Sequence, residues 1–242
     1  MRINRKRAIT KRNMSKNVLN ELLENAVHFG HRTQKWDPRM KRYLYGEKNG
    51  IHVFNLEKTA EMLAKAMDFL GKLSSEGRTV LFVATKPQAI NIVENAAKGC
   101  GMPYVIHRWI PGFLTNFSTI KSRIKTLRTL KEQRETGGFE KYTKKEISKF
   151  NKTIEKLESS LGGVQDVTKM PDAVFLVDVV RDKIVAKESK KLGIPVVAVA
   201  DSNANPELVD YIIPGNDDAV KSITYLTNKI GEAISSGRRA HK

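Results

Sequence analysis

Uninterrupted apolar runs recur along this chain: TVLFVAT, AVFLV, PVVAVA and YII. A strand with one wet face alternates polar and apolar residues, so an unbroken run of this kind must be covered on both faces. Strands are therefore read over the TVLFVAT run and at Tyr104–Ile106, Ala173–Val177, Pro195–Ala200 and Tyr211–Ile213, with a further short strand, IHVF, from Ile51. Helical spacing lies between them. Leu56, Ala60, Leu63, Met67 and Leu70 form one stripe behind Asn55, a residue suited to capping, and a helix with Pro87 in its first turn follows TVLFVAT. Two more helices are expected at Asp182–Leu192 and Asp217–Ser235. Alternating strands and helices imply parallel strands joined by crossovers, hence a three-layer α/β domain around a parallel five-stranded sheet.

At 242 residues, one domain with an appendage fits the usual domain size of roughly 100–200 residues. No apolar run approaches the roughly 18 residues of a membrane span. Cys100 is the only cysteine, which excludes an intramolecular disulfide and a multi-cysteine zinc cage.

The appendage interrupts the strand pattern. Ile120, Ile124 and Leu127, then Ile147, Phe150, Ile154, Leu157 and Leu161, follow three- and four-residue steps, giving two helices a seam for each other. Gly137-Gly138 is read as the stop of the first helix, and Thr143 with Glu146 as a capping box opening the second. The expected organisation is a basic arm over 1–16, a globular domain over 17–114 and 163–237, a coiled-coil hairpin insertion over 115–162, and a short basic tail over 238–242. A first helix is expected from Ser15 to Phe29 with Gly30 as its stop, followed by an irregular stretch from His31 to Gly50.

Charge is the strongest functional signal. The formal net charge is +17; residues 1–45 carry +9 of it and 108–161 carry +7, whereas 162–242 balance to zero. Such segregation indicates two contact surfaces for a polyanion rather than charge spread for solubility. In the first segment Arg32, Lys35, Arg39, Lys41 and Arg42 alternate with Trp36 and Tyr43, which suits RNA: rings stack on unpaired bases while guanidinium groups bind phosphate. In the second, Lys121, Arg123, Lys125, Arg128 and Arg134 lie off the apolar seam.

Catalytic readings find little support. ATKPQAI after the first buried strand lacks the glycines of a nucleotide-binding turn, and no GxxxxGK[ST] occurs. Asp178 and Asp201 end adjacent strands and could hold a divalent ion, but capping is the favoured role. A receiver-type phosphoacceptor is disfavoured, since Pro214-Gly215 stands where a lysine belongs. His28 and His31 lack further metal ligands nearby; a packed, hydrogen-bonded role is expected for the first and an RNA or turn contact for the second. No nucleophile sits beside a general base, so neither enzyme activity nor a cofactor is expected. The competing readings are a nucleotide- or metal-dependent enzyme using the Asp178/Asp201 edge, and a free-standing RNA chaperone.

LLENAVHFGH, KWDPRMKRYLYGEKNGIHVFNLEKT, CGMPYVIHRWIPGFLTNF, MPDAVFLVDVVRDKIVAKESKKLGIPVVAVADSN and VDYIIPGNDDA, in this order, resemble the bacterial-type small-subunit ribosomal protein two family from about Val18 to Ser235. The resemblance implies a flavodoxin-like α/β/α domain with a coiled-coil protrusion. It further implies a place between head and body of the small subunit against its ribosomal RNA, neighbouring ribosomal proteins as partners, and help in recruiting ribosomal protein one. It points to Arg32, Lys35, Trp36, Arg39, Arg108, Trp109, Thr115 and Asn116 as RNA contacts, together with the hairpin bases. Neither membrane nor homo-oligomer is expected; the location implied is a cytoplasmic, bacterial ribosome, with an organellar one as the alternative. Pro111 stands where that family has glycine, Asn205 where it has aspartate, and the basic arm before Met14 is longer than usual.

Overall fold

The computed structural model describes residues 17–241; the basic arm over 1–16, the expected helix start at Ser15, and Lys242 lie outside them. Five strands, β4 (Val80–Val83), β5 (Tyr104–Val105), β6 (Ala173–Val177), β7 (Val196–Ala200) and β8 (Tyr211–Pro214), form a parallel sheet in the order β5-β4-β6-β7-β8. Counted along the chain this is second-first-third-fourth-fifth, the flavodoxin-like order, and its switch point lies beside β4. All residues of β4, β6 and β7 are buried.

Alternate side chains feed two cores, as the pleat requires. Phe82, Phe175, Val177, Val199 and Ile213 pack under α2 (Leu56–Ser75), α3 (Ile90–Cys100) and α7 (Val220–His241). Leu81, Val83, Leu176 and Ala198 share the other core with Met40, Phe54 and Phe113, and with Val185 and Ala186 of α6 (Lys183–Lys191). The three expected layers are present. Asn55 caps α2 by accepting from the backbone of Glu57 and Lys58. Pro87 lies in the turn ahead of α3 rather than in its first turn, because the helix starts only at Ile90.

The stretch expected to be irregular is ordered. Strands β1 (Phe29–Arg32), β2 (Leu44–Lys48) and β3 (Ile51–Phe54) make a second, antiparallel sheet in the order β1-β3-β2, so the IHVF run belongs to this sheet and not to the parallel one. Asn49 and Gly50, both at positive φ, form its two-residue hairpin turn, a signal that Asn-Gly carries by itself. Helix α1 (residues 17–24) stops before Ala26, which has φ 56°, rather than at Phe29. The carbonyls of Val27 and His28 turn outward to Asn216 and Phe54 instead of continuing a helix. Gly30 is not a helix stop: it sits in β1, where a Cβ would lie 3.0 Å from Ser202 Oγ, so it permits close docking onto the parallel sheet.

The insertion contains α4 (Phe117–Glu135) and α5 (Lys144–Leu161). Ile120, Ile124, Leu127, Ile154 and Leu161 are buried, with Ile147, Phe150 and Leu157 packed against them, as the spacing predicts. Gly137 takes the left-handed conformation after α4, and the Thr143–Glu146 capping box opens α5. Phe139, Tyr142 and Phe150 cluster where the chain reverses, with ring centroids 5.1–6.4 Å apart.

Helix α7 runs to His241, six residues past the expected end, so the supposed tail begins inside it. Its last turns are held: Arg238 donates to the carbonyls of Cys100 and Gly101, which end α3, and the carbonyl of Ile234 accepts from Ser74 of α2. A Cβ at Gly237 would fall 2.2 Å from the Gly71 carbonyl oxygen, so α2 and α7 approach backbone to backbone. Gly237→Ala must push these helices apart; thermal or urea unfolding is expected to show a loss of about 1–3 kcal/mol, the usual cost of overpacking. An unchanged midpoint would contradict the close crossing.

Candidate nucleic-acid interface

Arg32 ends β1 of the small sheet, and Lys35, Arg39, Lys41 and Arg42 lie in the connection from β1 to β2. Met40, fully buried, pins the short 3-10 turn Pro38–Tyr43, and Asp37 caps that turn by accepting from the Arg39 backbone. This anchoring leaves Arg32, Lys35, Lys41 and Arg42 exposed and, among the described residues, without a carboxylate partner. The Arg42 guanidinium lies 4.8 Å over the Tyr43 ring, a cation–π contact. Trp36 is half-buried, its ring 4.8 Å from that of His52. Arg39 differs from its neighbours: its guanidinium is held by Asp37 at 2.7 Å and Glu207 at 2.9 Å, and its hydrogen bond keeps the Asp37 carboxyl below the usual range. Its guanidinium is exposed but already paired.

The sheet's carboxyl edge is filled from within. Lys86, following β4, places its buried ammonium 3.2 Å from Asp178, 2.7 Å from Asp217 and 2.5 Å from Asp218. Burial lowers the Lys86 pKa, but Asp217 and Asp218 outweigh it and the net shift is upward. The Asp217 carboxyl is pushed up to about 7 by burial and by Asp178 and Asp201, against the pull of Lys86. Asp201 accepts from His31 twice, at backbone N (3.1 Å) and at Nδ1 (3.0 Å), while His31 Nε2 lies 3.4 Å from Asp218. His31 thus joins the small sheet to the parallel one instead of meeting RNA or making a turn contact; the hydrogen bond to Asp201 raises its pKa. His28 is packed, but its Nδ1 is buried without a partner, and it does not join His31 around a common centre.

His31, Asp201 and Asp218 bring ligand atoms within 4.8 Å of one another, the one group among the described residues with metal-like spacing. Asp201 Oδ1 is already engaged by His31 and Ser202, and Asp218 Oδ1 by Lys86. Ammonium and imidazole occupy the place that the sequence leaves open to a cation at Asp178 and Asp201. Lys86 had a legible signal, a lysine directly after a buried strand and level with the aspartates that end its neighbours.

The loop after β5 is organised by Glu188 of α6. Its carboxylate accepts from Trp109 Nε1 (3.2 Å) and from the backbone of Gly112 (2.8 Å), Leu114 (3.0 Å) and Thr115 (3.3 Å). Trp109, 6% exposed, is a core residue with its indole N–H committed, which corrects its expected place as a surface RNA contact, whereas Thr115 stays exposed with its hydroxyl 3.5 Å from Glu188. Asn116 precedes α4, its side chain accepting from Thr119. Arg108 remains exposed. Glu188 was discernible from spacing: it follows Val185 by three residues, on the buried stripe of α6.

On α4, Lys121, Arg123 and Lys125 are exposed without carboxylate partners among the described residues. Arg128 pairs with Asp166 at 3.1 Å and also donates to the Gln165 carbonyl. No described helix is long and apolar enough to cross a membrane.

Fold and surface together define a flavodoxin-like α/β scaffold whose ligand edge is largely closed by its own side chains and whose unpaired cations face outward. The profile of the Ribosomal protein S2 family matches residues 22–237. The chain is 48% identical to small ribosomal subunit protein uS2 of Francisella tularensis subsp. novicida (strain U112), over 90% of this chain and 91% of that one. It is 47% identical to the uS2 of Dictyoglomus thermophilum, over 91% and 90%. The chain belongs to the ribosomal protein S2 family: it is a structural ribosomal protein and not an enzyme.

Two outcomes test this geometry. Asp217 and His31 both have folded pKa values above their ordinary ones, so their contribution to stability is complete at low pH and is lost as pH rises through the folded values. The melting temperature is expected to fall between about pH 4 and 7, from the ordinary aspartate value to the raised Asp217 value, and Asp217→Asn to flatten that slope; an equally steep slope in the variant would count against it. Glu188→Ala strands Trp109 Nε1 and three backbone N–H groups, for an expected loss of about 3–5 kcal/mol by denaturant unfolding.

Proposed function

We propose that the chain binds small-subunit ribosomal RNA through two basic surfaces, the small sheet with Arg32, Lys35, Trp36, Lys41, Arg42 and Tyr43, and the α4 face with Lys121, Arg123 and Lys125. The observation carrying this reading is that these cations stand exposed without acidic partners, while Arg39 and Arg128, also exposed, each face a carboxylate. Exposed cations beside aromatic rings suit phosphate and unpaired bases together. Membership of the S2 family supports the ribosomal address, and relatives named for the small subunit in bacteria support a bacterial, cytoplasmic ribosome. A position between head and body, contacts with neighbouring ribosomal proteins, and recruitment of ribosomal protein one belong to the same proposal and rest on the family resemblance.

The test is incorporation into small subunits. The full chain with Lys121→Glu, Arg123→Glu and Lys125→Glu is expected to co-sediment with small subunits at least about tenfold less well than the parent, and its binding to small-subunit RNA should depend less steeply on salt. Normal co-sedimentation of the triple variant would remove the α4 surface from the reading. Equal affinity for unrelated RNAs would favour a free RNA chaperone instead.

A further inference from the structure

Lys86 and its aspartates fill the part of the carboxyl edge towards β7 and β8, but the part at β4 and β5, next to the switch point of the strand order, stays open. There a cavity of about 310 Å³ is lined by Thr85, His107, Arg108, Trp109, Arg181 and Ile184, with Asp182 and Val185 completing its wall. Three of these residues carry basic groups, and none forms an ion pair among the described residues. Arg181 donates through Nε to Thr85 Oγ1 at 3.1 Å, which orients its guanidinium and leaves the two terminal nitrogens without protein partners. The acidic member of the wall does not offset this charge at the surface. Asp182 is 5% exposed, and its carboxylate is turned inward to Thr85 N (3.0 Å) and Thr85 Oγ1 (2.8 Å).

The remaining wall is apolar. Ile184 is 50% exposed, and the Trp109 ring, fixed by Glu188, backs the cavity. Basic groups at one side and a flat or aliphatic wall at the other are the two requirements of a nucleotide: phosphate for the guanidinium forks, and a base or ribose for the apolar surface. The volume sits at the lower end of small-ligand sites, about 300–1,000 Å³, which suits one nucleotide and not a dinucleotide. The absence of a glycine-rich turn after β4 agrees, because here arginine side chains rather than backbone N–H groups would meet the phosphate.

We propose that this cavity holds a single nucleotide of RNA, its phosphate between Arg108 and Arg181 and its base against Ile184. The proposal rests on the RNA-binding reading above and adds to it a third point of contact, where the scaffold engages one nucleotide in a pocket rather than a phosphate row on a surface. A free mononucleotide offers the same chemistry, and the experiment separates the two sources.

The chain has two tryptophans, so a ¹⁵N spectrum of the full protein gives two indole signals, assigned with Trp36→Phe. Pentauridylate is titrated into the parent, with binding followed in parallel by fluorescence anisotropy. The Trp109 indole is expected to shift, with an affinity that falls about tenfold in Arg108→Ala with Arg181→Ala, roughly the worth of one charge-assisted contact. Uridine 5′-monophosphate should bind far more weakly than the RNA. RNA binding by anisotropy with an unmoved Trp109 signal, or a shift of undiminished affinity in the double variant, overturns the pocket while leaving the surface reading intact. Equal affinity for the monophosphate overturns its assignment to RNA. Absence of any RNA binding by anisotropy defeats both the surface reading and this one.

Discussion

The buried ammonium of Lys86 is the contact on which the arrangement of loops depends. Three carboxylates gathered at a sheet edge repel one another, and the two buried ones, Asp178 and Asp217, carry a desolvation cost of several kcal/mol each that a cation placed among them offsets. Lys86 supplies that cation to Asp178, Asp217 and Asp218, and so ties the end of β4 to the segments that follow β6 and β8. Asp178 adopts φ 68°, a conformation costing about 1–3 kcal/mol for a residue with a side chain. It is held there from two sides, by Lys86 and by the Arg181 backbone that donates to its carboxylate. His31 then adds the small sheet to the same network through Asp201 and Asp218. A doubly wound fold ordinarily leaves this edge to a ligand; here side chains of the protein occupy most of it.

Several carboxylates serve as internal brackets beneath the basic surfaces. Glu188 gathers an indole and three backbone N–H groups from one loop, Asp182 holds Thr85, and Asp37 caps the turn that Met40 anchors. Two of these brackets fix segments that carry cations on the outer side: Arg108 precedes the loop held by Glu188, and Lys41 and Arg42 lie in the turn capped by Asp37. Rigid backbone beneath a cation reduces the ordering cost of binding phosphate, so acidic groups inside support basic function outside. The hairpin follows the same division, with an apolar seam within and Lys121, Arg123 and Lys125 without.

Several features were legible because they are local. The strands β4, β6 and β7 declare themselves as apolar runs, the hairpin seam by its three- and four-residue steps, and the Asn55 and Thr143 caps by residue type. The small sheet was missed although Asn49-Gly50 marks its turn, because β1 and β2 are short and largely exposed and carry no hydrophobic alternation. Trp109 read as an RNA contact because an aromatic beside arginine looks the same in sequence whether its ring faces solvent or core. Burial is decided by Glu188, 79 residues away.

By itself the sequence determined the layered α/β class, the parallel sheet and the segregation of charge, since each follows from the composition and period of contiguous residues. Tertiary structure alone decided which remote carboxylates the cations meet: Arg39 meets Glu207 in addition to its neighbour Asp37, Arg128 meets Asp166, and buried Lys86 meets Asp217. The physical reason is that an ion pair needs its groups within about 4 Å of each other in space, and that distance is set by the folding of the sheet rather than by the order of residues.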